Sequence, residues 1–165
     1  MNLYLIRHAI AEEESPSGED SQRELTDKGA KKMRLIAKGL RTLGVEFDLI
    51  VSSPYVRAMQ TAEILSDVFK KKKFVLSDHL MPAGDPNLLI AEINEKHTVD
   101  SLAIVGHEPY LSNLVSLLVA DGAPVEMTFK KGGVCYLSTD DLHHTHKATL
   151  EWLLTPGVLV EIGDH

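Results

Sequence analysis

Three apolar runs recur along the chain, each closed by polar or turn residues: LYLI at 3–6, FDLIVSS at 47–53 and SLAIVG at 101–106. Continuous apolar runs of this length suit strands buried on both faces, as in a parallel sheet. Between them the apolar positions fall at helical spacing. Over 27–43 they are Ala30, Met33, Ile36, Ala37, Leu40 and Leu43, with Thr26 to cap the start and Gly44 to end the helix. A second helix is predicted from Pro54 to about Phe69, with Ser53 as its N-cap. A weaker third covers about 87–96, and a fourth starts at Pro109 and carries Leu111, Leu114, Val115 and Leu118. Near the end, GGVCYLST (132–139) and ATLEWLL (148–154) read as two strands paired around the polar loop 140–147. The order predicts an α/β fold: a three-layer α/β/α sandwich, mostly parallel, with an antiparallel edge near the C-terminus.

Composition narrows the picture. A length of 165 residues suits one compact domain over 1–165, and 44% apolar residues give it a sizeable core. The net charge of −7 argues against a nonspecific nucleic-acid binder, which would carry a basic face. It also means that a phosphorylated substrate must be drawn in by a few local cations and not by the whole-molecule field. The one cysteine, Cys135, rules out a disulfide within the chain and argues against a cysteine metal cluster. Its strand position reads as core, as does that of Trp152. MNLYLIRHAI reads as a strand and not as a leader, and no run of about 18 apolar residues is present to span a membrane, so the cytoplasm is the expected location.

The chemistry sits just after the buried runs. Arg7 and His8 follow the first. Ser52, Ser53 and Pro54 follow the second, with Arg57 in the first turn of the next helix. His107, Glu108 and Pro109 follow the third. Ligands of open α/β sheets bind at the carboxyl ends of the strands, so the topology gathers two arginines and two histidines. Two helices starting at prolines would aim free N–H groups at the same crevice, and side chains lean toward a helix's N-terminus, so Arg57 reaches back into it. Guanidinium forks suit phosphate. The sequence has no GxxxxGK[ST] loop, no CxxxxxR signature and no paired-aspartate metal nest after the first strand. His8 remains as the nucleophile, since a neutral imidazole can attack phosphorus and neighbouring arginines favour the neutral form. Its second ring nitrogen requires a backbone carbonyl to fix the tautomer.

The motifs LIRHAI, SSPYVRAMQTAEIL and VGHEP together resemble the histidine phosphatase superfamily, also called phosphoglycerate-mutase-like, across residues 2–139. Position 9 is Ala where most members have Gly. That departure, with RELTDKG (23–29) and LMPAGDP (80–86), resembles the SixA-type branch. The resemblance implies that His8 accepts the phosphoryl group and that Arg7, Arg57 and His107 hold its oxygens. It suggests Arg23 as a further substrate contact. For the general acid it points to Asp85, in the loop, ahead of Glu92 one helix later. No cofactor and no metal is implied.

Only 22 residues separate Asp78 from Ser101, which leaves room for one helix and none for a lid, so an open, shallow crevice is expected. Such a site admits a phosphorylated side chain on another protein. The resemblance implies phosphohistidine on a histidine kinase's phosphotransfer domain. Two other readings stand beside it: a phosphomonoesterase for small phosphate compounds with the same His8 chemistry, and a non-catalytic phosphate-binding module. Loss of the attacking histidine would mark the last. The run Lys70–Lys73 reads as a solvated helix end, Glu12–Glu14 as a solvated loop beside the crevice, and His143, His144 and His146 as hairpin-loop residues and not a metal site.

Overall fold

The computed structural model describes residues 1–143 and 148–165. Its elements run β1 (Asn2–Arg7), α1 (Asp27–Thr42), β2 (Leu49–Ser52), α2 (Val56–Val68), β3 (Phe74–Leu76), α3 (Pro86–Lys96), β4 (Ser101–Gly106), α4 (Tyr110–Ala120), β5 (Val134–Ser138), β6 (Thr149–Leu154) and α5 (Pro156–Gly163). Short 3₁₀ turns lie at Asp20–Gln22 and Asp78–Leu80. The sheet order is β3-β2-β4-β1-β5-β6. Its first four strands are parallel, and β5 and β6 are each antiparallel to their predecessor in the order. This is the predicted three-layer α/β/α sandwich with its antiparallel edge.

Alternation along each strand feeds two cores. Leu3 and Leu5 of β1, with Leu102 and Ile104 of β4, face α3 and α4 and meet Leu89, Ile93, Leu111 and Leu114. Tyr4, Ile6, Ala103 and Val105 face the other way, onto Met33, Ile36, Leu40 and Leu65 of α1 and α2 and Leu159 of α5. Each fully buried side chain of this size contributes about 1.5–3 kcal/mol. Strands buried on both faces explain the unbroken apolar runs in the sequence.

Several boundaries differ from those predicted. The second strand starts at Leu49 because Phe47 leaves the sheet for the core, where its ring lies 4.3 Å from that of Phe69. Asp48 turns its carboxylate to the N–H of Ser101, at 3.1 Å, and so ties the start of β2 to that of β4. The second helix starts at Val56 with Tyr55 as N-cap, not at Pro54 with Ser53; the Ser53 hydroxyl accepts from the N–H of Tyr55 and also meets His107, ahead of the first helical turn. The fourth starts at Tyr110, with Pro109 as its cap. Strand β3 and helix α5 are additions. α5 has Thr155 as N-cap and Pro156 in its first turn, and it packs so closely on α1 that a Cβ on Gly163 would lie 1.9 Å from the Leu35 carbonyl oxygen.

Register sets the active end. Ile6 and Ser52 both pair with Val105, and Arg7 pairs with Gly106, so three neighbouring strands finish at one level. His8 donates its N–H to Gly106 O at 3.0 Å, and Ser53 donates its own to Val105 O at 3.0 Å. The turn before β5 closes the far side. Gly132, at φ +80°, donates its N–H to Arg7 O at 3.0 Å, in a backbone conformation that favours glycine.

Candidate active site

Three of the predicted side chains meet at the carboxyl ends of β1, β2 and β4. His8, Arg57 and His107 are 4%, 5% and 2% exposed. Arg57 Nε donates to His8 Nε2 at 3.3 Å, and the two imidazole centroids lie 5.3 Å apart. The Arg57 guanidinium sits 5.0 Å from the centroid of Tyr55, whose ring meets His107 edge-on at 5.2 Å. Arg7 closes the group from the end of β1. Its Nη1 donates to Phe129 O at 2.8 Å, while its Nε is buried and has no partner among the described residues.

The carbonyl needed to fix the His8 tautomer belongs to the next residue. His8 Nδ1 lies 2.7 Å from Ala9 O, an acceptor only, so Nδ1 carries the proton and Nε2 keeps its lone pair. The Arg57 Nε–H requires an acceptor at Nε2 and agrees. Burial lowers the His8 pKa to about 4, against a rise from the Ala9 hydrogen bond, with Arg57, Arg7 and Lys131 lowering it further. Burial also lowers His107, with help from His8 and Arg57, to about 3. Both rings are therefore neutral at neutral pH. Ala at position 9 costs the backbone nothing, since it is not among the residues with positive φ.

The remaining sequence candidates lie in different places. Arg23 joins the group indirectly. Its Nε pairs with Asp20 Oδ1 at 2.8 Å and its Nη1 donates to Glu12 O at 2.9 Å. Asp85 is exposed at the N-cap of α3, where its carboxylate accepts from the N–H of Asn87 at 2.9 Å. Glu92 accepts from the Ser77 hydroxyl and pairs with Lys96 at 3.2 Å. Both carboxylates thus hold partners other than the His8 ring. The Lys70–Lys73 run follows α2, with Lys71 paired to Asp67 at 3.0 Å. His144 and His146 lie outside the described residues.

Sequence reasoning missed four participants. Asp20 offers Arg57 both its backbone oxygen, 2.8 Å from Nη1, and its carboxylate, 3.1 Å from Nη2. Thr61 accepts from the N–H of Ala9 at 3.1 Å and donates to Arg57 O at 2.7 Å. Gln60 accepts from the N–H of Leu25 at 2.7 Å. Ser53, fully buried, has its hydroxyl 2.8 Å from His107 Nε2. The motif run SSPYVRAMQTAEIL contains three of these, and the second half of it therefore fastens what the first half presents. Asp20 also changes the expected openness. No lid follows β3, yet the turn before α1 covers Arg57 from the other side.

The assembly can do one thing well. It holds a neutral nitrogen nucleophile beside a fixed cation, with buried donors at hand for the oxygens of a phosphoryl group.

Known proteins resemble the chain in sequence and in fold. The family model for the histidine phosphatase superfamily (branch 1) matches residues 3–81. An uncharacterized protein of Picosynechococcus sp. (strain ATCC 27264 / PCC 7002 / PR-6) is 32% identical over 136 residues, covering 81% of this chain and 82% of that protein. Phosphohistidine phosphatase SixA of Escherichia coli (strain K12) is 29% identical over 161 residues, 94% of each chain. A solved structure of the protein histidine phosphatase SixA complexed with tungstate superposes with a TM-score of 0.83 at 28% identity, covering 96% of this chain and 99% of that one.

Proposed function

Because the chain belongs to the histidine phosphatase superfamily, we propose that it is a phosphohistidine phosphatase working through a phospho-His8 intermediate. The observation that carries this reading is the state of His8: its Nδ1–H is committed to Ala9 O, and its Nε2 lone pair faces a guanidinium. The lone pair attacks phosphorus, the bond from phosphorus to the substrate nitrogen breaks, and the leaving imidazole takes a proton from solvent. Water then attacks phosphorus, the bond to Nε2 breaks, and phosphate leaves with the water's proton passed to solvent. Nδ1 keeps its hydrogen throughout. Arg57 moves its Nε–H from Nε2 to a phosphoryl oxygen as the new bond forms. Arg7 and His107 hold the other oxygens, and their fixed charge and N–H dipoles act most strongly on the charge of the transition state. Arg23 extends the cationic edge through Asp20.

The substrate we assign is a phosphorylated histidine on another protein, such as a histidine kinase's phosphotransfer domain, met in the cytoplasm. Two things support it: the likeness to SixA proteins, and the single helix α3 that fills the stretch after β3, leaving that side without a lid. Among the described residues no helix is long and apolar enough to cross a membrane. A nitrogen leaving group also needs less help from an enzyme acid than an alkoxide, which suits a chain whose two candidate acids, Asp85 and Glu92, already hold other partners.

The test is to incubate the chain with a radiolabelled phosphotransfer domain and trap the phosphoenzyme. The expected label is acid-labile, base-stable and located on His8. His8→Ala should lose turnover while still binding orthovanadate weakly. Wild-type rates in that variant, or a label elsewhere, would overturn the assignment. Faster turnover of small phosphomonoesters than of phosphohistidine protein would replace the substrate class and leave the His8 chemistry standing.

A further inference from the structure

A neutral imidazole has one N–H and one lone pair, and a serine hydroxyl has one hydrogen to donate. His107 and Ser53 are 2% and 0% exposed, so each of these groups must find its partner inside the protein. Three observations constrain them. His107 Nε2 lies 2.8 Å from Ser53 Oγ. The N–H of Tyr55 already donates to Ser53 Oγ at 3.2 Å. His107 Nδ1 is buried with no partner among the described residues.

Two arrangements of the hydrogens are open. If His107 Nε2–H donates to Ser53, the serine hydrogen and the Nδ1 lone pair are both left unmatched in a buried place. If Ser53 donates to Nε2, the serine is satisfied on both sides and only the Nδ1–H remains. Each unmatched buried polar group costs about 1–3 kcal/mol, so the second arrangement wins by one group. We propose that Ser53 is a positioning residue: its hydroxyl donates to His107 Nε2 and so fixes the ring's hydrogen on Nδ1, leaving that N–H free for a phosphoryl oxygen.

The charged ring, with hydrogens on both nitrogens, is the remaining alternative. The groups around His107 disfavour it, since Arg57, Arg7 and His8 all act against a further positive charge and Asp20 alone acts for it. Both rings of the site then carry their hydrogen on Nδ1, for opposite purposes. On His8 it frees Nε2 to attack, with Ala9 O as the holder. On His107 it presents a donor, with Ser53 as the holder. A donor fixed before the substrate arrives needs no reorganisation during the reaction. The choice between the two neutral tautomers stands on the hydrogen bonds. The use of the Nδ1–H toward a phosphoryl oxygen rests on the phosphatase reading.

Long-range proton–nitrogen NMR on the full chain with ¹⁵N-labelled histidine, at pH 7, reads the tautomer directly. The His107 signals are assigned by their loss in His107→Asn. The expected pattern is a protonated nitrogen at Nδ1 and a lone-pair nitrogen at Nε2. A hydrogen on Nε2, or on both nitrogens, in the wild-type chain overturns the proposal, and this needs neither turnover nor a second variant. In Ser53→Ala the hydrogen should shift toward Nε2, and kcat/KM should fall about 10- to 100-fold. An unchanged tautomer in that variant also overturns the role of Ser53. The assigned tautomer in a chain without phosphatase activity would instead reject the phosphatase reading and leave the role of Ser53 intact.

Discussion

Arg57 has its donors committed on both sides: Nε to His8, Nη1 to the Asp20 carbonyl and Nη2 to the Asp20 carboxylate. Burial pushes the Asp20 carboxyl up, and the hydrogen bonds from Arg23 and Arg57 more than reverse it, holding it below the usual carboxylate range. The carboxylate therefore stays charged and competes with any anion that needs Arg57. Two unit charges 4 Å apart interact by about 4 kcal/mol at an intermediate dielectric and about 1 kcal/mol in water. The Asp20 side chain is 59% exposed, so the lower figure applies. About 1 kcal/mol is about fivefold in binding. Asp20→Asn keeps the carbonyl contact and removes the charge. It should tighten orthovanadate about fivefold, measured by titration calorimetry, and weaker binding would show that the carboxylate orients Arg57 more than it opposes the ligand. At this scale the sequence disclosed side chains and hid partners. His8, Arg7, Arg57 and His107 were legible because they follow buried apolar runs, and strand ends in a parallel sheet converge. Asp20 was not, since it starts a three-residue 3₁₀ turn with no periodicity to place it. Nor was Ala9, whose contribution is a backbone oxygen that any residue would supply.

Helix α2 links the end of β1 to the turn that covers Arg57, and Thr61 makes the link on the β1 side. Its hydroxyl accepts from the N–H of Ala9, a residue 3% exposed, and donates to Arg57 O. Thr61→Val keeps the shape and removes the hydroxyl, so the Ala9 N–H is left buried and unpaired. That should cost about 1–3 kcal/mol. In a chain of this size the melting temperature should drop by about 2–4 °C for each kcal/mol. Calorimetry checks it, and an unchanged transition would mean that water reaches the Ala9 amide. The elements themselves divide by how strongly they are patterned. Helix α1 lay where its apolar spacing put it, with Thr26 accepting from the N–H of Gly29 and Gly44 at φ +77° just past its end. Strand β3 was invisible because it is three residues long at the sheet edge and only partly buried. Helix α5 carried a readable start in Thr155-Pro156, but Gly157 weakened the helical pattern behind it. The start of α2 was misplaced. Ser53 has the residue type of an N-cap and does accept from the N–H of Tyr55 at 3.2 Å, but the same hydroxyl also meets His107, and the helix itself begins after Tyr55, at Val56.

Across the whole molecule the two neutral imidazoles tie folding to pH. In the fold, burial first and neighbouring positive groups second bring His8 to about 4 and His107 to about 3, against 6.5 for a free ring. Between 6.5 and those values the unfolded chain binds protons that the folded chain refuses. Stability therefore rises with pH through this window and is lost as pH falls through it. At pH 5 the loss is up to about 2 kcal/mol for each ring, from the 1.36 kcal/mol that each pH unit represents. The net charge acts in the opposite direction, because acidification from −7 toward the pI of about 5.6 relieves self-repulsion. That effect is spread over the surface and the ring effect is local, so substitution separates them. Urea unfolding at pH 7 and pH 5 should show a lower midpoint at pH 5 for the wild-type chain. His107→Asn should remove about half of that difference and His8→Asn a similar share, because neither replacement can take up a proton. A pH 5 to pH 7 difference that is the same in the wild-type chain and in both variants would mean that the buried site admits protons in the folded state, and with them the water that keeps a ring near its ordinary value. In the reaction proposed above, His8 would then start partly charged near pH 6, with fewer of its Nε2 lone pairs free to attack.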